Sequence, residues 1–286
     1  MTIGLIGLGI VLVMFLTGIE LGFAMAVVGF LGFCITVSTK AALSLVAKDF
    51  VDVFASYDFT VIPLFILMGQ IAFNAGIAKR LYNTAYRFLG HIPGGMAIAT
   101  VAGATAFKAI CGSSPATAAT FASVAVPEMD RYGYDRRLST GIVATVGTLG
   151  ILIPPSVTLI VFGIITGMSI GKLFLAGIIP GLIIAVFFMV VIYGWCRINP
   201  SLGPKGEKST WRERIASLPE FLLVIVIFLL MIWGLMRGIF TPVEAGSVGT
   251  AAVLILAIVK KDLNFKGYVK AVTETLRTAP FSFPGE

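Results

Sequence analysis

The sequence predicts an all-α protein that crosses a membrane several times, and two observations support this fold class. First, 58% of the 286 residues are hydrophobic and only 12% are charged, whereas soluble domains are typically ~45–50% apolar. Second, apolar runs of ~20 residues, the length that spans a bilayer as a helix, recur along the chain. The runs lie at residues 3–38, 59–78, 138–168, 173–196, 217–236 and 241–259, with a further, interrupted run at 94–127.

Composition also argues against several other classes of protein. The three cysteines, Cys34, Cys111 and Cys196, lie inside apolar runs without metal-like spacing, so neither a disulfide framework nor a zinc site is expected. The net charge of +7 comes from basic residues in short segments between spans. Membrane orientation explains these residues, and we expect no nucleic-acid partner. The sequence contains no HExxH or GxSxG motif and no aspartate pair within the spans, which argues against a membrane enzyme.

The basic residues predict how the spans are oriented. They concentrate in four clusters, which the positive-inside rule places in the cytoplasm, while Lys40, Lys48, Lys172 and Arg237 are expected in the intervening loops. The run 94–127 then has a cytoplasmic cluster on both sides, so it must enter and leave the membrane on one face. We therefore expect a re-entrant hairpin there. The four clusters are Lys79/Arg80/Arg87, Arg131/Arg136/Arg137, Arg197 through Arg214, and Lys260 through Arg277.

The hairpin tip is predicted at the Gly-Ser-Ser-Pro sequence of residues 112–115. Gly112 can end the first arm, either serine can cap the second arm, and Pro115 suits its first turn. Backbone that is not helical is tolerated at membrane depth only beside protein or a polar cavity. The tip is therefore a candidate binding site.

A second break interrupts the run 138–168 between Gly147 and Ser156. Pro154 and Pro155 remove amide donors and clash with the preceding turn, which predicts two half-helices joined by extended chain. A single break is more often a packing kink, but two breaks with hydroxyl groups at both favour a site near the membrane midplane. The C-termini of half-helices offer carbonyls to Na⁺, and their N-termini offer amides to a carboxylate.

Lys108 lies one turn before the predicted tip and is the only basic residue in the hydrophobic interior. An unpaired charge there costs at least ~2.5–3.5 kcal/mol on insertion scales. Two roles remain open for this lysine. It could attract an anionic substrate, or it could snorkel or pair with a carboxylate elsewhere in the assembly.

The sequence leaves the arrangement of helices in residues 1–38 open. Residues 1–38 could form one long tilted helix or a tight pair of helices that breaks near residues 18–22.

The sequence also contains a weak internal repeat. An offset of 220 residues aligns Gly18-Ile19 with Gly238-Ile239 and Val28-Gly29 with Val248-Gly249. Many secondary transporters contain two inverted repeats, and here the second repeat would start near residue 217. Its own hairpin would fall beyond residue 286, so the chain is expected to be a truncated transporter.

These patterns divide the chain into five predicted segments. Mixed-charge residues at helical spacing predict surface helices at 77–92 and 264–277. The segments are scaffold-type helices with a cytoplasmic surface arm (1–92), a transport core of hairpin and broken helix (93–172), a return span with a cytoplasmic loop (173–216), the start of the second repeat (217–279), and a tail that abandons the apolar pattern (280–286).

Three motifs in order, GSSPATAA at 112–119, GTLGILIPPS at 147–156 and FTPVEAG at 240–246, resemble the large membrane subunit of TRAP (tripartite ATP-independent periplasmic) transporters, in the ion transporter superfamily. The resemblance extends to about residue 279. It implies Na⁺-coupled import of small organic acids, of the C4-dicarboxylate or sialic and sugar-acid type, through an elevator movement in the bacterial inner membrane. It also implies a periplasmic binding protein and a small membrane subunit as partners, with no cofactor besides the coupling Na⁺.

The resemblance implies a sodium and substrate site at the positions that match the family motifs, with Lys108 as a possible contact for the substrate charge. Two alternatives remain: an inactive fragment of such a permease, expected unless the missing part is supplied elsewhere, and a channel, because a hairpin alone resembles a pore loop. The implied site residues are Gly112, Ser113, Ser114, Pro115, Ala116, Thr117, Gly147, Thr148, Gly150, Pro154, Pro155 and Ser156.

Overall fold

The computed structural model describes residues 2–19 and 21–278, and the predicted tail at 280–286 lies outside the described residues. All regular secondary structure in the described residues is helical, which confirms the predicted all-α class. The helices are α1 (Thr2–Leu16), α2 (Leu21–Thr36), α3 (Thr39–Ala55), α4 (Val61–Asn74), α5 (Ile77–Leu89), α6 (Gly95–Lys108), α7 (Ser114–Arg131), α8 (Arg136–Thr148), α9 (Val157–Thr166), α10 (Ile170–Ile198), α11 (Trp211–Met236), α12 (Pro242–Val259) and α13 (Phe265–Thr278).

Helix length and hydropathy confirm the multi-pass membrane character. Within the described residues, four helical segments are long and apolar enough to cross a bilayer: Tyr57–Asn74, which contains α4, and the helices α10, α11 and α12. Helices α1, α2 and α9 are apolar but shorter. The exposed residues of α10 and α11 are mostly large and hydrophobic, as expected for surfaces that face lipid.

Helices α1 to α3 belong to one compact unit, and Thr60–Thr275 forms another. In the first unit, α1 ends at Leu16 and α2 begins at Leu21, with Gly18 at a φ of 87° in the turn between them. A Cβ on Gly7 would contact Val28 at 3.4 Å, so the two helices pack as a pair. Of the two arrangements that the sequence allowed for residues 1–38, the structure has the tight pair.

The loop prediction for Lys40 and Lys48 was wrong, because both residues lie within the helix α3. It was also wrong for Lys172, which lies in the first turn of α10. Helix α3 is too polar to resemble a span. However, Lys40, Ser44, Lys48 and Asp52 follow one another at intervals of four, which places them along one side of a helix.

In the second unit, α6 and α7 form the predicted hairpin. The Phe107 and Phe121 rings pack edge to face near the tip, 6.0 Å apart. At the other end, the Tyr134 hydroxyl accepts a hydrogen bond from the Met96 amide (3.1 Å) and donates one to the Pro204 carbonyl (2.8 Å). Burial raises the pKa of Tyr134 to about 12, so the phenol keeps the proton that it donates. The start of α6 and the end of α7 therefore lie at the same end of the unit.

The loop after α10 closes over that open end through backbone hydrogen bonds. Gly94 donates to the Gly203 carbonyl at 3.1 Å, and Asp135 donates to the Leu202 carbonyl at 3.0 Å. The basic segment that follows α10 therefore lies on the same side as both ends of the hairpin, as the positive-inside rule predicts.

The helices predicted at 77–92 and 264–277 are present as α5 and α13. Helix α5 packs on α6 and is also tied to α11. Arg80 forms ion pairs with Glu220 (2.7 Å) and with Asp262 (2.9 Å), and Lys260 pairs with Glu220 (2.8 Å). These four side chains are only about a quarter to a third exposed, so solvent screens them less than isolated surface pairs. They link α5 to α11 and to the loop after α12.

The backbone also agrees with the 220-residue offset found in the sequence. Helix α1 ends at Leu16 and α11 ends at Met236. Each is followed by a glycine in the left-handed region, Gly18 with a φ of 87° and Gly238 with a φ of 67°. The next helix then begins at Leu21 in one case and at Pro242 in the other. The two helix-turn-helix segments thus share local structure as well as sequence.

Candidate functional site

At the hairpin tip, five residues separate the end of α6 from the start of α7. Helix α6 ends at Lys108, and Ser113 adopts the extended backbone of an N-cap, with its Oγ accepting a hydrogen bond from the Ala116 amide (3.3 Å). Pro115 lies in the first turn of α7. Of the two serines that the sequence allowed as the cap, Ser113 fills that role.

The broken helix is also present, as the half-helices α8 and α9. Ser156 caps α9: its Oγ accepts from the Leu159 amide (3.4 Å) and donates to the Ile151 carbonyl (2.8 Å). The link was predicted to be extended, and this was wrong for its first half, where Leu149–Ile151 form a 3-10 turn. The helical backbone tightens before the prolines interrupt it. The Pro154–Pro155 peptide bond is cis.

The two breaks lie against each other. The Val157 amide, at the start of α9, donates to the Gly112 carbonyl at 3.3 Å. A Cβ on Gly147 would lie 3.2 Å from the Cβ of Ala118 and 3.6 Å from the Ser114 carbonyl oxygen. Glycine at 147 therefore lets the end of α8 approach α7 closely, and the N-termini of α7 and α9 begin side by side.

Lys108 is fully buried where the tip meets the broken helix. Its Nζ donates to the Ser113 carbonyl at 2.9 Å. A Cβ on Gly150 would collide with Nζ and Cε of Lys108 and would lie 2.7 Å from Ser114 Oγ. The ammonium group therefore occupies space that only a glycine at 150 leaves open. The structure rules out snorkelling in this conformation, and the described partner of Lys108 is a backbone carbonyl rather than a carboxylate.

Most of the sequence-predicted site residues are buried at this junction, two are partly buried, and two are exposed. Pro115 is exposed, and Thr148 is exposed with its hydroxyl donating to the Thr145 carbonyl at 2.6 Å. Ala116 is partly buried against the core. The buried members are Gly112, Ser113, Thr117, Gly147, Gly150, Pro154, Pro155 and Ser156, and Ser114 is partly buried.

The structure adds two residues of α4 that the sequence did not single out. A Cβ on Gly69 would lie 2.7 Å from Cys111 Sγ, and a Cβ on Gly112 would lie 3.1 Å from the Phe65 Cβ. Helix α4 therefore forms a wall against the hairpin tip. The only sequence signal was a glycine in an otherwise bulky apolar helix, which is common in membrane helices.

The electrostatics of the junction favour an anion. No acidic residue occurs between residues 95 and 127 or between 136 and 166, so the hairpin arms near the tip and the broken helix carry no negative side chain. The N-terminus of a helix behaves as a partial positive charge, and two such ends meet beside the buried Lys108. These groups together suit a negatively charged ligand more than a neutral one.

A helical hairpin that meets a proline-broken helix in a multi-pass protein is an arrangement typical of secondary transporters. Residues 8–281 match the family described as "Tripartite ATP-independent periplasmic transporter, DctM component". The chain belongs to this family of transporter permeases, which are not enzymes.

Similar proteins carry the same family name. The chain is 39% identical over 220 residues to a C4-dicarboxylate TRAP transporter large permease protein of Pseudomonas aeruginosa, which covers 77% of this chain and 51% of that protein. It is 33% identical over 277 residues to the corresponding protein of Rhodobacter capsulatus (92% and 62%). It is 30% identical over 263 residues to a sialic acid TRAP transporter large permease protein of Vibrio cholerae (91% and 60%). The chain thus spans about half to three fifths of the length of these relatives.

Proposed function

We propose that this chain forms part of the large membrane subunit of a transporter that imports small organic acids together with Na⁺. The substrate class is C4-dicarboxylates or sialic and other sugar acids, because similar proteins are named for C4-dicarboxylate and sialic acid transport. The assembly includes a small membrane subunit and a periplasmic binding protein that delivers the substrate, and it resides in a bacterial inner membrane.

The observation that carries this proposal is the buried ammonium group of Lys108 at the junction of the two breaks. An ammonium has three donors, and the described protein supplies one acceptor, the Ser113 carbonyl. A substrate carboxylate at the junction would accept from the remaining donors and from amides at the starts of α7 and α9 other than those of Ala116, Val157 and Leu159, which already donate within the protein. Charge-assisted hydrogen bonds of this kind are roughly twice as strong as neutral ones.

Na⁺ binds in this proposal to oxygen atoms of the same junction, from Ser113, Ser114 and nearby carbonyls. In the described conformation the Ser113 carbonyl accepts from Lys108 Nζ and also from Thr117 Oγ at 3.0 Å. A sodium ion at this carbonyl would therefore compete with the ammonium group and free it for the substrate. Competition for one carbonyl offers a physical basis for coupling ion and substrate binding.

The transport movement in this proposal is of the elevator type. The hairpin and broken helix (93–172) move as one body against the scaffold-type helices, and the segment from 217 onward begins an inverted second repeat. The matching helix-turn-helix geometry at Gly18 and Gly238 supports that repeat.

The proposal is tested by uptake in proteoliposomes that contain a full-length version of the permease together with the small membrane subunit and binding protein of its assembly. The double variant Ser113→Leu/Ser114→Leu should abolish uptake of labelled succinate or sialic acid, because it fills the junction and removes both hydroxyls. The matched control is Ser123→Leu, an exposed position on the same helix α7, which should transport like the unchanged protein. Unchanged uptake by the double variant would contradict the site. Uptake that does not saturate and needs no Na⁺ would instead indicate a channel.

A further inference from the structure

A groove of about 750 Å³ opens between α8 and α10, and its lining includes none of the proposed site residues. Its walls are almost entirely apolar and include Gly141, Ile142, Val146, Phe188 and Ile192. The charged side chains that line it, Asp135 and Arg137, are both at one end. That end lies beside Tyr134, where the loop after α10 closes the hairpin.

The charged end of the groove carries a positive group that the described protein does not neutralise. Among the described residues, no acidic side chain forms an ion pair with Arg137. The Asp135 carboxylate instead caps α8 by accepting from the Arg137 amide (2.8 Å) and the Leu138 amide (3.3 Å). The Arg137 guanidinium is therefore available to an anion at the mouth of the groove.

The dimensions of the groove match one leaflet of a bilayer. Arg137 and Val146 are nine residues apart on α8, which corresponds to ~13 Å along the helix. Half of a ~30 Å hydrocarbon core is about the same depth. Trp195, on α10, lines the same groove near the charged end and is half exposed, and tryptophan is enriched at the level of lipid headgroups.

We propose that this groove binds an anionic phospholipid of the cytoplasmic leaflet. One acyl chain lies along α8 and α10, and the headgroup phosphate contacts Arg137. The order of charge and apolar surface along the groove follows that of a phospholipid, with the cationic side chain at the membrane interface and apolar walls below it. Guanidinium groups bind phosphate with favourable geometry and charge.

Lipid retention by the purified 286-residue chain tests this proposal. The chain is incubated in detergent with phosphatidylglycerol or phosphatidylcholine, and bound lipid is counted by native mass spectrometry. Arg137→Gln should reduce phosphatidylglycerol binding about fivefold, the effect expected for one basic residue at an anionic interface. Arg136→Gln is the matched control, because Arg136 is adjacent and exposed but does not line the groove. Equal loss in both variants would show general surface charge and overturn the proposal.

A second variant tests the acyl-chain part of the site. A Cβ on Gly141 would meet no atom within 4 Å, so Gly141→Phe should fill the groove without disturbing α8 and should lower lipid retention as Arg137→Gln does. Retention equal to that of the unchanged chain would overturn the proposal. Equal binding of phosphatidylcholine and phosphatidylglycerol would refute the role of Arg137.

Photo-crosslinking identifies the occupant in the membrane. With p-benzoylphenylalanine at position 141, irradiation of cell membranes should attach a phospholipid to the chain. An adduct with a second copy of the chain or with another protein would show that the groove is a protein interface and would overturn the proposal.

Discussion

Replacing Gly150 with alanine should displace the ammonium group of Lys108 from the Ser113 carbonyl. The added Cβ would collide with Nζ and Cε of the lysine, and the end of a lysine side chain moves more easily than the surrounding backbone. Gly150 is not among the glycines with positive φ, so alanine suits the backbone at this position. The main loss is therefore the buried hydrogen bond between Lys108 and Ser113.

The expected size of the effect follows from that single hydrogen bond. A hydrogen bond to a charged group contributes ~1.5–3 kcal/mol. For a chain of this size, 1 kcal/mol corresponds to a shift in Tm of about 2 °C, so Gly150→Ala should lower Tm by ~3–6 °C. In a Lys108→Ala background both Nζ and Cε are absent, so no collision remains with the side chain at position 108, and the same substitution should change Tm by less than ~2 °C.

The assay is a double-mutant cycle on the chain purified in detergent, with Tm read from intrinsic fluorescence at a fixed heating rate. The coupling between Gly150→Ala and Lys108→Ala should be at least ~1.5 kcal/mol, since the two positions share one contact. Equal destabilisation by Gly150→Ala in both backgrounds would refute the reasoning, because the cost would then come from elsewhere in the turn.

Two further substitutions test the packing around the site. Tyr134→Phe removes the hydrogen bonds to Met96 and Pro204 and should lower stability by ~1–3 kcal/mol, with faster amide hydrogen exchange in residues 199–206; an unchanged exchange rate there would contradict the proposed closure of the hairpin. Gly177→Ala, on α10, would place its Cβ against the carbonyl oxygen of Leu152 and should destabilise by ~1–3 kcal/mol. On the same helix, Gly171→Ala meets its nearest atom at 3.8 Å and should raise Tm slightly through helix propensity, so a similar change in both variants would exclude that contact as the cause.

The sequence was sufficient to place both breaks, because each break depends on residues that act locally. Pro115 suits the first turn of α7, and Pro154 and Pro155 remove amide donors wherever they occur. The prediction that Gly112 ends the first arm was wrong, because α6 ends at Lys108 and Ala109 is its C-cap. Capping by Ser113 and Ser156 also follows from local chemistry, because a hydroxyl accepts from an amide three residues later.

The contacts that assemble the junction could not be read from the sequence, because they join positions that are far apart in the chain. Nothing near Lys108 in the sequence indicates that Gly150 makes room for its ammonium group. Thr148 has the right residue type and lies beside the break, yet its hydroxyl bonds to its own helix and the side chain is exposed. Helical phase at the end of α8 decides this orientation, and a shift of one residue would turn the side chain by about 100° around the helix axis.

The helix α3 was missed for a different reason. Long apolar runs identify spans, whereas α3 has polar or charged residues at four-residue intervals that interrupt any such run. An amphipathic helix needs only one apolar side, so a search for periodicity would have found it where a search for hydropathy did not.

The most direct test of the central claim is uptake driven by a sodium gradient, measured for a full-length version of the permease and for its Lys108→Met variant in proteoliposomes with the partner subunits. The proposal predicts saturable uptake of a labelled organic acid that stops when K⁺ replaces Na⁺, and a KM at least tenfold higher for Lys108→Met, because a charge-assisted contact with the substrate is lost. Uptake that is the same in K⁺, or a KM unaffected by Lys108→Met, would contradict an anion site at the junction of the hairpin and the broken helix.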